Sequence, residues 1–223
     1  MTLEDLPQEI KDHIMRTVGN DDYQEKPNTY SLTSLLYCLR KGYYRKTCPK
    51  LLSLEAAYNI YRGKLFDEKW SPLFRHNQVR CTYRCRSVPV TISGKYDFLT
   101  YNTTTNTYIV TDLKTTKNLY YINTPSPEYV KQVRFYAYLN SLSQAQLLYI
   151  DFGDAKKFQI EVGNIQPLLD ELEEKAQQLY IALTSKTPPP KETGWLCDYC
   201  EYQTMCNNND SNSNTDTVTE AAV

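Results

Sequence analysis

The sequence contains no apolar run that approaches the ~20 residues needed to cross a membrane, which excludes a membrane-spanning protein. Only 7 of the 223 residues are glycine, which excludes a collagen. Hydrophobic residues make up 41% of the chain and charged residues 23%, which is ordinary for a globular protein and excludes a wholly disordered one. Residues 1–15 are acidic and amphipathic, unlike the basic start of a secretory signal. We therefore expect a cytoplasmic protein without a membrane partner.

Acidic residues are missing from two long stretches, 26–54 and 73–96, although the formal net charge of the whole chain is only −1. The bases in these stretches are Lys26, Arg40, Lys41, Arg45, Lys46, Lys50, Arg75, Arg80, Arg84, Arg86 and Lys95. A face that binds nucleic-acid phosphates needs such local basicity. The alternative is a set of solvated bases on a neutral protein.

Hydrophobic periodicity predicts an alternation of helices and strands. Helical spacing covers residues 3–18, 31–44, 53–74, 126–141 and 164–185. Strand-like patterns cover residues 79–87, 88–100, 107–116, 145–153 and 156–162, with a hairpin turn expected between the second and the third. This order predicts an α/β fold in which helices flank one mixed central sheet.

The ends of the chain differ in composition from the middle. Residues 1–29 read as an N-terminal helix followed by a polar linker. Residues 207–223 are rich in Asn, Ser, Thr and Asp and are expected to be a disordered tail, because they offer too little apolar surface to bury. Residues 30–206 are expected to form the main domain.

Two carboxylates and a lysine form a candidate catalytic group. Asp112 and Lys114 are two residues apart in a predicted strand, which places both side chains on one face. If the hairpin turn is centred between residues 104 and 105, Asp97 lies opposite Asp112. Facing carboxylates repel each other unless a cation lies between them, and oxygen ligands suit Mg²⁺ or Mn²⁺. The alternative for Asp112 and Lys114 alone is two exposed charges on a sheet edge.

A lysine beside a metal-bound water can orient that water and stabilise a pentacovalent phosphate, as phosphodiester hydrolysis requires. Gln132 and Tyr136 are four residues apart on the next predicted helix and therefore share one face. They are candidates for positioning the DNA or the lysine; the alternative is a hydrogen-bonded glutamine and a packing tyrosine. The neighbouring Tyr43 and Tyr44 are candidates for stacking against a single strand.

Three cysteines near the C-terminus, Cys197, Cys200 and Cys206, have the spacing of metal ligands rather than of a disulfide in a reducing compartment. A closed site needs a fourth ligand. Cys38 is one candidate, and Cys81 and Cys85 are its rivals, although buried apolar thiols would explain that pair equally. The spacing does not distinguish zinc from an iron–sulfur cluster.

Taken in order, these motifs resemble a known family. The matching segments are Cys38 in its basic segment, Arg62-Gly63, the run 94–97, the run 112–114, the run 132–136 and the three C-terminal cysteines. The chain is similar over about residues 30–206 to the RecB-like nucleases of the PD-(D/E)XK superfamily, and more closely to the CRISPR-associated iron–sulfur exonucleases. The resemblance implies a restriction-endonuclease-like core with an iron–sulfur cluster segment.

The resemblance also implies an activity and its cofactors. It implies a divalent-metal-dependent deoxyribonuclease, a hydrolase of phosphodiester bonds at DNA ends, with single-stranded 5′ ends as the expected substrate. It implies a [4Fe–4S] cluster on Cys38, Cys197, Cys200 and Cys206, and Mn²⁺ or Mg²⁺ at Asp97 and Asp112 beside Lys114. The implied biological setting is spacer acquisition in CRISPR defence, with the CRISPR integrase as a partner.

One position departs from the family pattern. The family places a metal-binding histidine four residues after Gly63, where this chain has Asp67. Asp67 is the expected third metal ligand, with Glu68 and the more distant His76 as alternatives. The departure supports a second hypothesis, a non-catalytic or attenuated module that binds DNA and the integrase. A third is a zinc-stabilised DNA-binding protein.

Overall fold

The computed structural model describes residues 3–19 and 28–211. Within them the chain forms one six-stranded sheet flanked by helices, which confirms the predicted mixed α/β class. The helices are α1 (Gln8–Gly19), α2 (Leu32–Leu36), α3 (Leu39–Thr47), α4 (Leu54–Trp70), α5 (Pro127–Leu139), α6 (Gln166–Ser185) and α7 (Gln203–Ser211). The strands are β1 (Thr29–Ser31), β2 (Asn77–Arg84), β3 (Thr91–Asn102), β4 (Thr107–Thr115), β5 (Gln144–Ile150) and β6 (Ala155–Glu161). Of the helices in the described ranges, none has the length and apolarity that a membrane crossing requires.

The sheet is mixed because one of its connections is a helical crossover. Its strand order is β1-β3-β4-β5-β6, and β2 pairs with the other side of β3. Strands β2, β3 and β4 form the predicted antiparallel meander. Strands β4 and β5 are parallel, since the chain returns through α5 between them. Strand β6 pairs antiparallel with β5.

An opening interrupts one side of β3. Strand β1, which the sequence did not predict, pairs in parallel with residues 91–93 of β3. Strand β4 pairs on the same side, but only with residues 98–102. Residues 94–97 therefore have no strand partner on this side within the described chain. We call this segment the sheet opening.

Proline and cysteine determine where the N-terminal helices begin and end. Pro7 lies between a short 3-10 turn and α1, so the helix begins at Gln8 rather than near residue 3. The prediction of one helix over 31–44 is wrong, because the chain breaks before Cys38, which caps the start of α3. Ser53 caps α4 as predicted, but α4 ends at Trp70 because Pro72 cannot continue it.

The C-terminal segment folds back onto the N-terminal helices. A 3-10 turn over Trp195–Tyr199 precedes α7, and the buried Tyr202 stacks on Tyr44 of α3 with 5.6 Å between ring centroids. Helix α7 runs past Cys206 to Ser211, into the stretch 207–223 that was predicted to be disordered. The remainder of that stretch, 212–223, and the linker residues 20–27 lie outside the described residues.

Both faces of the sheet are covered. The main core lies on one face, where side chains of α2, α3, α5 and α6 pack against strand residues such as Val110 and Leu147. On the other face a smaller cluster joins Phe98, Leu113 and Ile150 to Phe66 of α4. Residues 110 and 113 thus alternate along β4 as a strand requires, and the face of Val110 is shared by Asp112 and Lys114.

A buried carboxylate ties α6 to the loop after β2. Glu173 accepts hydrogen bonds from the Tyr83 hydroxyl at 2.7 Å, from the Arg86 side chain at 3.0 Å and from the backbone N–H groups of Arg86 and Ser87. Burial alone would raise the pKa of Glu173, but these hydrogen bonds outweigh it and lower the pKa to about 2. The ionised carboxylate therefore stabilises the fold at neutral pH.

We expect Glu173→Gln to lower the free energy of unfolding at pH 7 by roughly 1–3 kcal/mol, because it leaves several donors with a neutral acceptor. Since the folded pKa is depressed, the stabilisation is complete above the unfolded value near 4.5 and is lost as pH falls toward 2. Urea denaturation at several pH values should show this loss in the wild type but not in Glu173→Gln. Glu174→Gln, an exposed neighbour, is the control and should match the wild type.

Candidate active site

Asp112 and Lys114 lie where β4 passes beneath α5. Both side chains are largely buried, and Lys114 Nζ is 2.5 Å from Asp112 Oδ2. Lys114 Nζ donates a hydrogen bond to Gln132 Oε1 at 3.1 Å, and Gln132 Nε2 donates to the Tyr136 hydroxyl at 3.1 Å. The shared helix face of Gln132 and Tyr136 thus points at the lysine, and the four side chains form one continuous polar chain.

Gly94 is required by the position of Tyr136. A Cβ atom at residue 94 would lie 2.5 Å from Cε1 and 2.7 Å from the hydroxyl of Tyr136, closer than non-bonded atoms tolerate. The tyrosine ring fills the sheet opening at the point where β3 has no side chain. Glycine in the run 94–97 therefore serves the packing of α5 on the sheet.

Asp97 lies at the end of the sheet opening, where the alternation of β3 breaks. Tyr96 packs in the main core, but Phe98 packs in the cluster on the opposite face. Phe98 pairs with Thr111, as the predicted hairpin register requires. Asp97 and Asp112 are the next residues along the two strands, one position beyond this pair. Asp97 Oδ2 accepts a hydrogen bond from the backbone N–H of Leu113 at 2.6 Å, which binds the two strands together beyond their last ladder pair.

Asp67 reaches the same place from α4. The preceding turn of the helix is held to the end of β4 by Arg62, whose Nη2 donates to the carbonyl of Thr116 at 2.8 Å. Burial and the charge of Asp112 raise the pKa of Asp67 to about 6, while Lys95 and Lys114 act in the opposite direction. These mutual effects place Asp67 in the same electrostatic site as the strand residues.

The charges of the site are not balanced within the protein. Burial, followed by the charges of Asp112 and Asp67, raises the pKa of Asp97 well above its usual range. Burial alone would lower the pKa of Lys114, but the nearby acids raise it, so the lysine stays protonated. Asp112 Oδ2 is buried, and its close partner is the ammonium of Lys114.

These features fit a divalent cation, which would relieve the repulsion between the carboxylates. As the described residues are placed, no three Cys, His, Asp or Glu side chains are grouped closely enough to hold a metal ion. Mg²⁺ usually binds proteins through one or two carboxylates and completes its shell with water and substrate phosphates. Asp97 and Asp112 meet that requirement, with Asp67 beside them.

The rival ligands lie elsewhere. Glu68 follows Asp67 on the outer surface of α4 and is exposed. The ring of His76 packs against Tyr108, 5.8 Å away and edge-on, near the far end of the hairpin formed by β3 and β4. Of the three candidates for this ligand position, Asp67 is the one whose charge raises the pKa of Asp97, and the charge of Asp112 in turn raises the pKa of Asp67.

The four predicted cluster ligands meet in one cavity. Cys38, Cys197, Cys200 and Cys206 all line a space of about 160 Å³ between α3 and the C-terminal segment. Backbone N–H groups point at two of the sulfurs, from Lys41 to Cys38 and from Gly194 to Cys197, each at 3.4 Å. Burial raises the pKa of Cys38 and of Cys200, so a bound metal group would be needed to keep both as thiolates.

Four thiols around one cavity are the ligand set of a tetrahedral zinc ion or of a [4Fe–4S] cluster, which takes one thiolate on each of its irons. As the described residues are placed, no three potential metal ligands are grouped tightly around a single point. The rivals are elsewhere: Cys81 and Cys85 are buried in the main core, where Asn140 donates to Cys81 at 3.3 Å.

The sequence of the chain matches the PD-(D/E)XK nuclease superfamily over residues 5–207. The chain belongs to this superfamily. No curated protein sequence matches the chain.

One solved structure has a fold similar to that of this PD-(D/E)XK protein. The crystal structure of a protein called SSO0001 aligns with a TM-score of 0.68 at 18% identity, over 88% of this chain and 95% of that one. An alkaline exonuclease from Laribacter hongkongensis, LHK-Exo, aligns with a TM-score of 0.45 at 11% identity, over 78% of this chain and 93% of that one. At these identities the likeness to SSO0001 concerns the fold.

Two tyrosines that the sequence analysis missed complete the site of this PD-(D/E)XK protein. Lys114 Nζ lies 4.2 Å from the ring centre of Tyr129, and Tyr37 contacts Tyr129 edge-on. Tyr129 is three residues before Gln132 on α5, so helical spacing would have indicated it. Tyr37 comes from the break between α2 and α3, and nothing in the sequence pattern singles it out.

The prediction that Tyr43 and Tyr44 stack against a single strand is wrong. The two tyrosines are only 7% and 3% exposed, because both side chains pack inward from α3 against the main core. Helix α3 instead presents Lys41 and Arg45 to a groove of about 350 Å³ that also contains Lys114 and Cys38. This groove joins the surroundings of the cysteine cavity to the acidic site.

The basic residues of the acid-free stretches are divided between structure and surface. Arg40 is buried and donates to the carbonyl of Pro189 at 2.7 Å, which fixes the C-terminal segment to α3. Arg80 donates to Ser93 at 3.0 Å, and Arg86 binds Glu173. Lys41 and Arg45 line the groove beside Lys114, and Lys41 also pairs with Glu201 at 2.8 Å. The alternative of solvated bases is therefore wrong for the buried Arg40 and holds for exposed bases such as Arg75 and Arg84.

Proposed function

We propose that the protein is a divalent-metal-dependent deoxyribonuclease that hydrolyses phosphodiester bonds at DNA ends. The observation that carries the proposal is the largely buried group of Asp97, Asp112 and Lys114, in which Lys114 pairs with Asp112 while the carboxylates repel each other. Such a group is unfavourable in an inert protein. It becomes favourable when a cation and a phosphate complete it.

Each residue has a distinct task in this proposal. Asp97 and Asp112, with Asp67, hold Mn²⁺ or Mg²⁺, which supplies Lewis-acid polarisation of the scissile phosphate. Lys114 is protonated and is held by Gln132 and by the face of Tyr129, so its ammonium orients the attacking water and stabilises charge that develops on the phosphate. Gln132 and Tyr136 keep the lysine in position and contribute polar groups beside the substrate.

The cysteine cavity supports a structural cluster as the second cofactor. In this proposal Cys38, Cys197, Cys200 and Cys206 bind a [4Fe–4S] cluster that joins the N-terminal part of the domain to its C-terminal segment. Residues 30–206 then form one nuclease domain that the cluster closes, with 1–29 and 207–223 as flanking segments. Reduced thiols of this kind require a reducing compartment, in keeping with the cytoplasm.

The substrate and the biological role follow from the resemblance and the groove. Lys41 and Arg45 lie beside the lysine of the acidic site, where they can neutralise the phosphates of a single strand that enters the site. Exonuclease action on single-stranded 5′ ends, spacer acquisition in CRISPR defence and association with the CRISPR integrase are proposed on the resemblance of the motifs.

An assay of the metal and of residue 67 tests the proposal. The full chain, purified without oxygen, should shorten end-labelled single-stranded DNA with Mn²⁺ and not with EDTA. Asp67→Ala should cut about 10-fold more slowly or worse, because a ligand is lost, while Asp67→His should retain or raise activity. Glu68→Ala, on the exposed side of the same turn, should leave the rate unchanged.

Asp67 also motivates a second function, since it stands where the resembling family has histidine. In that case the protein is a non-catalytic module that binds DNA and an integrase through the same surface. Binding of single-stranded DNA without any Mn²⁺-dependent cleavage, in the wild type and in Asp67→His alike, would support this second function against the first.

A further inference from the structure

Three aromatic side chains form a surface beside the acidic site that the proposed catalytic groups do not use. Phe152 follows the end of β5 and is 84% exposed. Its ring centre lies 6.2 Å from that of Phe66 on α4, and the Phe66 ring lies 5.1 Å from that of Trp70, which is itself exposed. We call Phe66, Trp70 and Phe152 the aromatic platform.

The fold holds Phe152 outward rather than leaving it to collapse onto the protein. Asp151 Oδ1 accepts hydrogen bonds from the backbone N–H groups of Gly153 and Asp154 at 2.8 and 2.9 Å. Its Oδ2 accepts from the N–H of Leu119 at 2.9 Å, which ties the loop to the segment after β4. Exposing the apolar ring of Phe152 to water is unfavourable, and the hydrogen-bonded loop keeps it exposed. This indicates that a ligand covers the ring.

The platform is continuous with the acidic site. Asp67 directly follows Phe66, and Trp70 is one helical turn from both. Ile150 at the end of β5 packs with Phe66 on the α4 face of the sheet, and Phe152 follows Ile150 by two residues. Asp112 and Lys114 lie on the opposite face, beneath α5. Asp67 joins the two surfaces, because it follows Phe66 on α4 and lies close enough to Asp112 and Lys114 for their charges to act on it.

This position indicates what covers the platform. A protein seated on Phe152 and Trp70 would also cover Asp67, and it would exclude DNA from the metal site. A nucleobase has flat apolar faces, stacks on aromatic rings irrespective of its sequence, and is attached to the phosphate that the site would hold. The substrate itself is therefore the occupant that suits both surfaces.

We propose that the aromatic platform is a base-stacking subsite for single-stranded nucleic acid, in which Phe152 stacks on a base a few nucleotides from the scissile phosphate. The inference rests on the proposed nuclease function and adds to it the group that selects unpaired strands. A base must leave its duplex partner to stack on a protein ring, so the platform favours single strands and frayed ends over intact duplex.

Binding measurements with the full-length protein test the platform. The probe is a 5′-fluorescent single-stranded oligonucleotide in buffer without divalent metal, followed by anisotropy. Phe152→Ala should bind roughly 5- to 100-fold more weakly, the range expected for loss of one stacked base, whereas Phe152→Tyr and Phe152→Trp should bind like the wild type. Leu51→Ala removes another exposed apolar side chain and should have no effect. Thermal unfolding of Phe152→Ala should match the wild type, because the side chain is exposed.

An oligonucleotide series with a single abasic nucleotide at successive positions locates the stacked base. One position should weaken wild-type binding and leave Phe152→Ala binding unchanged, as expected if that base and Phe152 contact each other. If Phe152→Leu binds as tightly as the wild type, the contact is merely apolar and the stacking subsite is disproved. Unchanged binding by Phe152→Ala, in a protein whose wild type cuts DNA with Mn²⁺, overturns the platform alone. A wild type that neither binds nor cuts DNA overturns the proposed function with it.

Discussion

Asp112→Asn is expected to reduce DNA cleavage by roughly 10³-fold or more, because it removes a charged metal ligand from the centre of the site. DNA binding should persist and can tighten, since one of the carboxylates that repel phosphate becomes neutral. The measurement is single-turnover cleavage of end-labelled DNA at a fixed Mn²⁺ concentration, with binding followed separately by anisotropy.

The structure indicates why this variant should still fold. Asp112→Asn leaves Lys114 without its closest carboxylate, which is destabilising. It also removes a charge that raises the pKa of both Asp67 and Asp97, and that relief acts in the opposite direction. The Tm of Asp112→Asn should therefore stay close to that of the wild type, although its activity is lost.

One further variant separates the role of the metal from that of the lysine. Lys114→Ala should also suppress cleavage, but Mn²⁺ binding should persist because the carboxylates remain. Asp12→Asn, in an exposed helical turn of α1, is the matched control and should cut at the wild-type rate. An Asp112→Asn protein that cuts as fast as the wild type would show that the catalytic centre lies elsewhere or that a contaminant cuts the DNA.

Cys38→Ser is expected to abolish cluster binding and to lower the stability by several kcal/mol. The cluster would join α3 to the C-terminal segment, so its binding free energy contributes directly to folding, on the order of several kcal/mol. The wild type purified without oxygen should be brown and contain iron, and Cys38→Ser should be colourless with a lower Tm. Absorbance, iron content and thermal unfolding provide the three measurements.

Cys81→Ser is the matched control for this variant. Cys81 is buried in the main core and does not line the cavity of the other four cysteines. Its substitution should leave colour and iron content unchanged, although the loss of a buried apolar thiol can lower the Tm. Bleaching of Cys81→Ser with retained colour in Cys38→Ser would contradict the ligand assignment. A colourless wild type that contains zinc would contradict the cluster itself.

Much of the local structure was predictable because it depends on neighbouring residues. The turn between β3 and β4 fixes which residues face each other, so the position of Asp97 in line with Asp112 followed from counting along the two strands. In the same way, helical periodicity placed Gln132 and Tyr136 on one face, and their hydrogen bond confirms that geometry.

Element boundaries failed where a single residue competes with the pattern. Periodicity ran through residues 31–44, but the backbone breaks before Cys38, and the thiol then caps α3. The same periodicity did not reveal that Tyr43 and Tyr44 face inward, since the sequence does not state which side of a short basic helix meets the core.

The sequence by itself determined the order of helices and strands, the register of the β3–β4 hairpin and the spacing of the motif residues, because these depend on repeats of two and 3.6 residues along the chain. The tertiary structure alone decided that the charge of Asp112 acts on Asp67, that Cys38 meets three cysteines from the far end of the chain, and that Phe152 stands beside α4. These are contacts between residues far apart in sequence, and they depend on how the helices pack across the sheet, which no local pattern encodes.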